Sequence, residues 1–239
     1  MAHFDLRQFT SAEQLAQTAS WDWLQEVSKN NNRPFCTALS GGRIARVFCS
    51  SLATQVIARR IPLSGVHFFW SDERCVSPTD PDSNYRIAQE LLFAPLSIPA
   101  DQIHRVPGEI SSEAVALAAQ VDLSKLAPPG ADDQPVLDLV LLGMGEDGHV
   151  ASLFPGEPEA VMASRAVYRC VRAVKPPPLR ITLGYPAIAA ARQVWVLASG
   201  AGKELALRES LDPQASTPLA RVLRLRANTR IYSDIVVRA

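Results

Sequence analysis

The run Leu137-Asp138-Leu139-Val140-Leu141-Leu142, closed by Gly143, restricts what this chain can form more than any other segment. A strand with large aliphatic side chains at consecutive positions has no polar face to offer water, so it needs cover on both sides. Strands of that kind sit at the centre of parallel sheets whose connections are helices. The remainder of the chain repeats the theme, setting short apolar runs against longer stretches of helical period. The expected fold is therefore α/β, a Rossmann-like open, mainly parallel sheet with helices on both faces. At 239 residues with 47% apolar content, one domain spanning 1–239 is expected.

Strands are predicted at 34–39, 66–70, 103–106, 137–142, 167–174, 194–198 and 229–237. Helices are predicted at 44–58, from Ser83 or Asn84 through Leu92, and at 111–126, 185–192, 202–211 and 218–223. Pro186 is tolerable only in a first turn, which fixes the start of its helix close by. Pro128-Pro129-Gly130 marks a surface loop.

Charge and cysteine content exclude several functions. Twenty-four basic and 24 acidic residues cancel, so no global field gathers nucleic acid or an anionic membrane, and any anion must be held locally. Residues 1–10 carry Asp5 and Arg7 rather than a signal peptide's apolar core, and no segment offers about 20 consecutive apolar residues. A soluble, cytoplasmic protein is expected. Cys36, Cys49, Cys75 and Cys170 lack Cys-x-x-Cys spacing and read as thiols without catalytic or metal roles, although Cys75 adjoins the charged pair Glu73-Arg74. No metal or cofactor is expected.

In open parallel sheets ligands gather beyond the carboxyl ends of strands, and four segments there carry chemistry. Ser40-Gly41-Gly42-Arg43 lies between a strand and a helix, where it serves either as a tight turn or as a backbone cradle for an anion. It lacks the dinucleotide and P-loop fingerprints. Asp72-Glu73-Arg74 sets two carboxylates and a guanidinium directly after an apolar strand, either as an ion pair or as ligand contacts that include phosphate. In Gly143-Met144-Gly145-Glu146-Asp147-Gly148-His149 a glycine loop presents a histidine, with Asp147 two residues away, as a structural group or as a base working near neutrality. His3, His67 and His104 have no such setting. Lys203, at a helix start after Ser199-Gly200, reads either as a solvated lysine or as a phosphate ligand.

Taken together, Trp70-Ser71-Asp72-Glu73-Arg74 with Ser83-Asn84, the stretch from Gly143 to Pro155, Arg180-Ile181-Thr182-Leu183 and Gly202-Lys203 resemble the 6-phosphogluconolactonases, within the superfamily that also holds the glucosamine-6-phosphate deaminases. The resemblance runs from Leu39 to at least Leu211. It implies metal-free hydrolysis of 6-phospho-D-glucono-1,5-lactone to 6-phosphogluconate in the oxidative pentose phosphate pathway. On the matching positions it makes His149 the base, Asp72 the acidic residue near it, and Arg74 and Lys203 phosphate-binding cations, with Arg180 a further ligand-facing cation. For such a reaction the loop N–H groups near Gly41 and Gly42 are expected to stabilise the oxyanion. The chain departs at Arg43-Ile44-Ala45, where members often continue with Ser or Thr and then Pro, so Arg43 replaces a hydroxyl with charge. Two other activities compete with this one. Deaminases typically carry Asp-Glu-Tyr and His-Ile-Ala-Phe-Asn-Glu-Pro, against Asp72-Glu73-Arg74 and His149-Val150-Ala151-Ser152-Leu153-Phe154-Pro155 here. A sugar-phosphate sensor would need a DNA-binding module, which the segment before Pro34 does not supply. The expected partner is a small sugar-phosphate lactone, bound by a monomer or small homo-oligomer, with no nucleic acid and no membrane.

Overall fold

The computed structural model describes residues 4–30, 33–110, 113–130 and 132–236. Its strands, in chain order, are β1 (Phe4–Gln8), β2 (Phe35–Leu39), β3 (Val66–Trp70), β4 (Asp72–Arg74), β5 (Leu139–Gly143), β6 (Tyr168–Arg172), β7 (Leu179–Leu183), β8 (Gln193–Ala198) and β9 (Thr229–Ser233). The helices are α1 (Ala12–Ser28), α2 (Gly42–Arg59), α3 (Asn84–Ala88), α4 (Ala94–Leu96), α5 (Glu113–Leu126), α6 (Glu159–Met162), α7 (Tyr185–Ala190), α8 (Glu204–Ser210) and α9 (Pro218–Leu225), with a π turn at Gln89–Phe93 joining α3 to α4.

Six strands pair in parallel in the order β1-β9-β8-β5-β2-β3. β5 lies between β8 and β2, and Leu139, Val140, Leu141 and Leu142 are all buried, as an aliphatic run without a polar face requires. From β2 the chain steps outward to β3, whereas from β5 it steps the other way to β8 and β9. With right-handed crossovers this reversal puts α1 and α2 on one face and α7 to α9 on the other. The packing agrees: α1 lies against α2, and α9 against both α7 and α8. The reversal also opens a crevice between the carboxyl ends of β2 and β5, the usual ligand position in such sheets.

At Ser71 the chain leaves the parallel sheet. Its N–H donates to Leu39 O at 2.8 Å, while its carbonyl accepts from Leu183 N at 2.8 Å. One residue thus joins β3 to a second, antiparallel sheet of order β4-β7-β6, in which Asp72 faces Thr182 and Arg74 faces Arg180. The predicted strand at 167–174 belongs to this sheet rather than to the parallel series, and β4 and β7 were not anticipated. Nor were β1 and α1. Ser11 caps α1 by accepting from Gln14 N, and Leu15, Ala19 and Trp23, spaced by four, form its buried stripe. The predicted strand at 103–106 reduces to a single bridge from Ile103 to Phe68. The helix expected from Ser83 through Leu92 opens on the Ser83 cap, then widens into the π turn after Ala88. The helix start at Ser111 and Ser112 and the strand end at Val237 lie outside the described residues. No helix among the described residues is long and apolar enough to cross a membrane.

Candidate active site

The loop after β5 folds back on itself, with Met144 bridging Val150 and Gly145 N donating to His149 O at 2.9 Å. Two glycines make this possible for different reasons. Gly148 takes φ +75°, a left-handed value that side chains resist. At Gly145 the constraint is space: a Cβ there would lie 2.1 Å from both Nδ1 and Cε1 of His149. The imidazole therefore rests directly on the Gly145 backbone. Its Nδ1 is hydrogen-bonded to Asp147 Oδ1, which also accepts from His149 N at 3.2 Å. Burial works to raise the Asp147 pKa, but the hydrogen bond and charge of His149 hold it below its ordinary value. An imidazole whose Nδ1–H is committed to a carboxylate keeps Nε2 as its proton acceptor. The His149 ring also packs against Phe154, with centroids 4.9 Å apart.

Across the crevice, Ser40 Oγ accepts from Gly143 N at 3.1 Å and ties the end of β2 to the end of β5. α2 then starts at Gly42, whose φ is +85°, without any side-chain cap on its first-turn N–H groups. An uncapped start of an 18-residue helix carries partial positive charge and unpaired donors. Arg43 adds a full charge, and its guanidinium lies over Gly200. Lys203 joins the same wall; burial first, then the charge of Arg43, lowers its pKa, with Glu146 and Asp234 opposing. Among the described residues neither Arg43 nor Lys203 has an ion-pair partner within 4 Å.

The third wall comes from β4. Asp72 is 3% exposed, accepts from Ser152 Oγ at 2.6 Å and from Asn84 Nδ2 at 3.3 Å, and lies 3.9 Å from Arg74 Nε. Arg74 also donates to Asp82 O at 3.1 Å. Ser40, Gly41, Gly42, Arg43, Asp72, Arg74, His149 and Lys203 line one cleft, so residues up to 163 positions apart in the chain meet there. Three cations against one buried carboxylate make the cleft locally positive in a chain of zero net charge.

Arg180 does not line this cleft. Its guanidinium donates to Pro177 O at 3.0 Å and Lys175 O at 3.3 Å, reaches Ser152 Oγ at 3.5 Å, and lies 5.5 Å from the Phe154 ring centre. It stands behind Asp72. Burial and then the charge of Arg74 lower its pKa, while Asp72 and Asp82 oppose. Cys75 is also off the cleft, and burial pushes the Cys36 and Cys49 thiols up to about 12. His67 and His104 hydrogen-bond each other at 3.0 Å, and His104 is held by Asp122; His3 lies outside the described residues. Among the described residues no group of three His, Cys, Asp or Glu is arranged to hold a metal. Sequence reasoning saw Asp147 only as a neighbour of His149, took Asn84 as a candidate helix cap, and assigned no site role to Asn84 or Ser152, whose partners are 12 and 80 residues away.

Residues 10–232 match the family described as glucosamine-6-phosphate isomerases/6-phosphogluconolactonase. A 6-phosphogluconolactonase of Mycobacterium tuberculosis is 40% identical over 190 residues, covering 76% of this chain and 75% of the relative. The solved structure of 6-phosphogluconolactonase from Trypanosoma brucei superposes with a TM-score of 0.84 at 28% identity, covering 98% of this chain and 97% of that one. A monomeric glucosamine-6-phosphate deaminase reaches 0.82 over 96% of each chain at 18% identity, a likeness of fold alone. The chain belongs to the glucosamine-6-phosphate isomerase/6-phosphogluconolactonase family.

Proposed function

We propose that the cleft hydrolyses 6-phospho-D-glucono-1,5-lactone to 6-phosphogluconate, with His149 as the base. The observation that carries this reading is the Asp147–His149 couple in a cleft that also holds an uncapped helix start and two cations, Arg43 and Lys203, without an ion-pair partner among the described residues. Neutral His149 takes a proton from water at Nε2 as the water oxygen bonds to C1 of the lactone. Asp147 keeps the ring in the required tautomer and stabilises the imidazolium that forms. The carbonyl oxygen, now negative, meets the N–H groups at Gly41 and Gly42 with Arg74 nearby. When the C1–O5 bond breaks, the imidazolium returns its proton to O5. One water is added, and no other reactant is needed.

Arg43 and Lys203 repel one another, and among the described residues neither has an ion-pair partner within 4 Å, so they are the natural seat for the phosphate dianion. The family resemblance makes Arg74 a phosphate ligand as well, but because it is already shared with Asp72 and the Asp82 carbonyl, we assign it to the sugar side of the cleft. Asp147 occupies the position of histidine partner, so Asp72 is left to accept from sugar hydroxyls. The protein would act in the cytoplasm as a monomer or small homo-oligomer, without cofactor or nucleic acid. The test supplies fresh lactone and, separately, glucosamine 6-phosphate. Acid release above the spontaneous rate is expected from the first; ammonia from the second without acid from the first would reverse the assignment.

A further inference from the structure

Glu73 is buried, yet it plays no part in the chemistry above. Its carboxylate accepts from the backbone N–H groups of Arg74 at 2.7 Å, Asn84 at 2.8 Å and Tyr85 at 2.7 Å, and from Ser83 Oγ at 3.2 Å. Burial pushes its pKa up to about 7 against those donors, so the group is a costly one to keep where an apolar side chain would fill the same space. What it fixes is the backbone of Asn84. That residue, 1% exposed, reaches out from the start of α3 to both walls of the cleft. Its Nδ2 donates to Asp72 O at 2.8 Å and to Asp72 Oδ1 at 3.3 Å. On its other side the amide lies against Gly41, where a Cβ would come within 1.7 Å of Oδ1 and 2.8 Å of Nδ2. Gly41 has φ −109° and ψ −167°, extended values that alanine also adopts. Glycine is therefore needed here to admit the amide, not to relieve the backbone.

We infer that Asn84, held by Glu73, is a positioning residue that sets the spacing between Asp72 on β4 and the Gly41 turn at the start of α2. It touches neither reacting atom in the scheme above; it keeps the sugar-side carboxylate and the oxyanion donors in register with each other. This rests on the assignment of the cleft as the lactone site.

Size exchange between the two contacting residues tests it. Asn84→Ala removes the amide, and Gly41→Ala adds a methyl where the amide now lies. Each alone is expected to lower kcat/KM about tenfold or more while thermal melting shows a folded protein. In the double variant the methyl enters the vacated space, so activity should match Asn84→Ala alone rather than the product of the two losses. Glu73→Gln should likewise lower kcat/KM in the wild-type background and add nothing in the Asn84→Ala background. Full activity in Asn84→Ala, or multiplying losses in either double variant, overturns the inference; the Gly41 and Asn84 arms decide it even if Glu73→Gln does not fold. His149→Asn run in parallel separates the two levels. If it keeps turnover, the site assignment fails and the inference with it; if it is inactive while Asn84→Ala is fully active, only the inference fails.

Discussion

Gly145→Ala separates the position of the imidazole from its identity, because it alters no functional side chain chemically. The new Cβ would lie 2.1 Å from Nδ1 and Cε1 of His149 and 2.8 Å from Asp147 Oδ1. Restoring ordinary contact at 3.4 Å or beyond moves the ring by more than 1 Å, and the same methyl crowds Asp147 Oδ1, so the Asp147–His149 couple is displaced as a whole. A misplacement of about 1 Å at a reacting group costs on the order of 100-fold in rate, or about 2.7 kcal/mol in the barrier. The backbone at Gly145 is not in the left-handed region, so stability should change little. Acid release from fresh lactone, with the spontaneous rate subtracted, gives kcat; binding of 6-phosphogluconate and thermal melting serve as controls. A folded variant that binds product normally and turns over within about threefold of wild type would refute the claim that this contact places the base.

Asp147→Asn keeps the shape but removes the charge that steadies the imidazolium, and because Asp147 is 41% exposed its effect should be the milder one, about 10- to 100-fold in kcat; unchanged kcat would detach it from the reaction. Lys203→Met should raise KM about tenfold or more and leave kcat nearly unchanged. The pKa of Lys203 is depressed in the fold, so its proton is held less well there than in the unfolded chain, and below that depressed value the buried charge destabilises the native state. Calorimetry at neutral pH should thus show a higher Tm for Lys203→Met, and 6-phosphogluconate binding by the wild type should weaken with rising pH before an ordinary lysine would titrate; a lower Tm with unchanged KM contradicts both points. Asp138 lies at the opposite end of β5, where it accepts from Cys36 N at 2.9 Å and is gripped by Arg33. Asp138→Ala should cost about 1–3 kcal/mol in urea unfolding, because it strands a buried N–H, while kcat stays at the wild-type value; a loss of kcat in the folded variant would refute that separation of ends.

The parallel sheet was legible because its central strands are nearly uninterrupted aliphatic runs, and glycine loops punctuate their carboxyl ends. β4 and β7 were not, since Asp72, Arg74 and Arg180 are charged, β4 gains its strand character from pairing with β7 across about a hundred residues, and β7 gains its own from β4 and β6 together. β1 was hidden for a related reason: Phe4 and Leu6 are its only large apolar residues, and it gains its geometry from β9. At the site, the cleft-lining residues His149, Asp72, Arg74, Arg43 and Lys203 could be picked out as charges and glycines after strands. Their division of labour could not. Asp147 and Asp72 are both acids near a histidine in sequence terms, and only the fold gives His149 to one and Ser152 and Asn84 to the other. Arg74 and Arg180 look equivalent until the fold is followed: Arg74 lines the cleft and donates to the Asp82 carbonyl, while Arg180 turns into the carbonyls of Lys175 and Pro177.

The proposed hydrolysis turns on Nε2 of His149 removing the proton from the attacking water. Its most direct test is kcat for hydrolysis of fresh 6-phosphogluconolactone by His149→Asn, measured beside the wild type with the spontaneous rate subtracted. The wild type should be active, and the variant should fold, bind 6-phosphogluconate comparably and lose about 100-fold or more in kcat. A folded His149→Asn protein that turns the lactone over at near the wild-type rate would contradict that role.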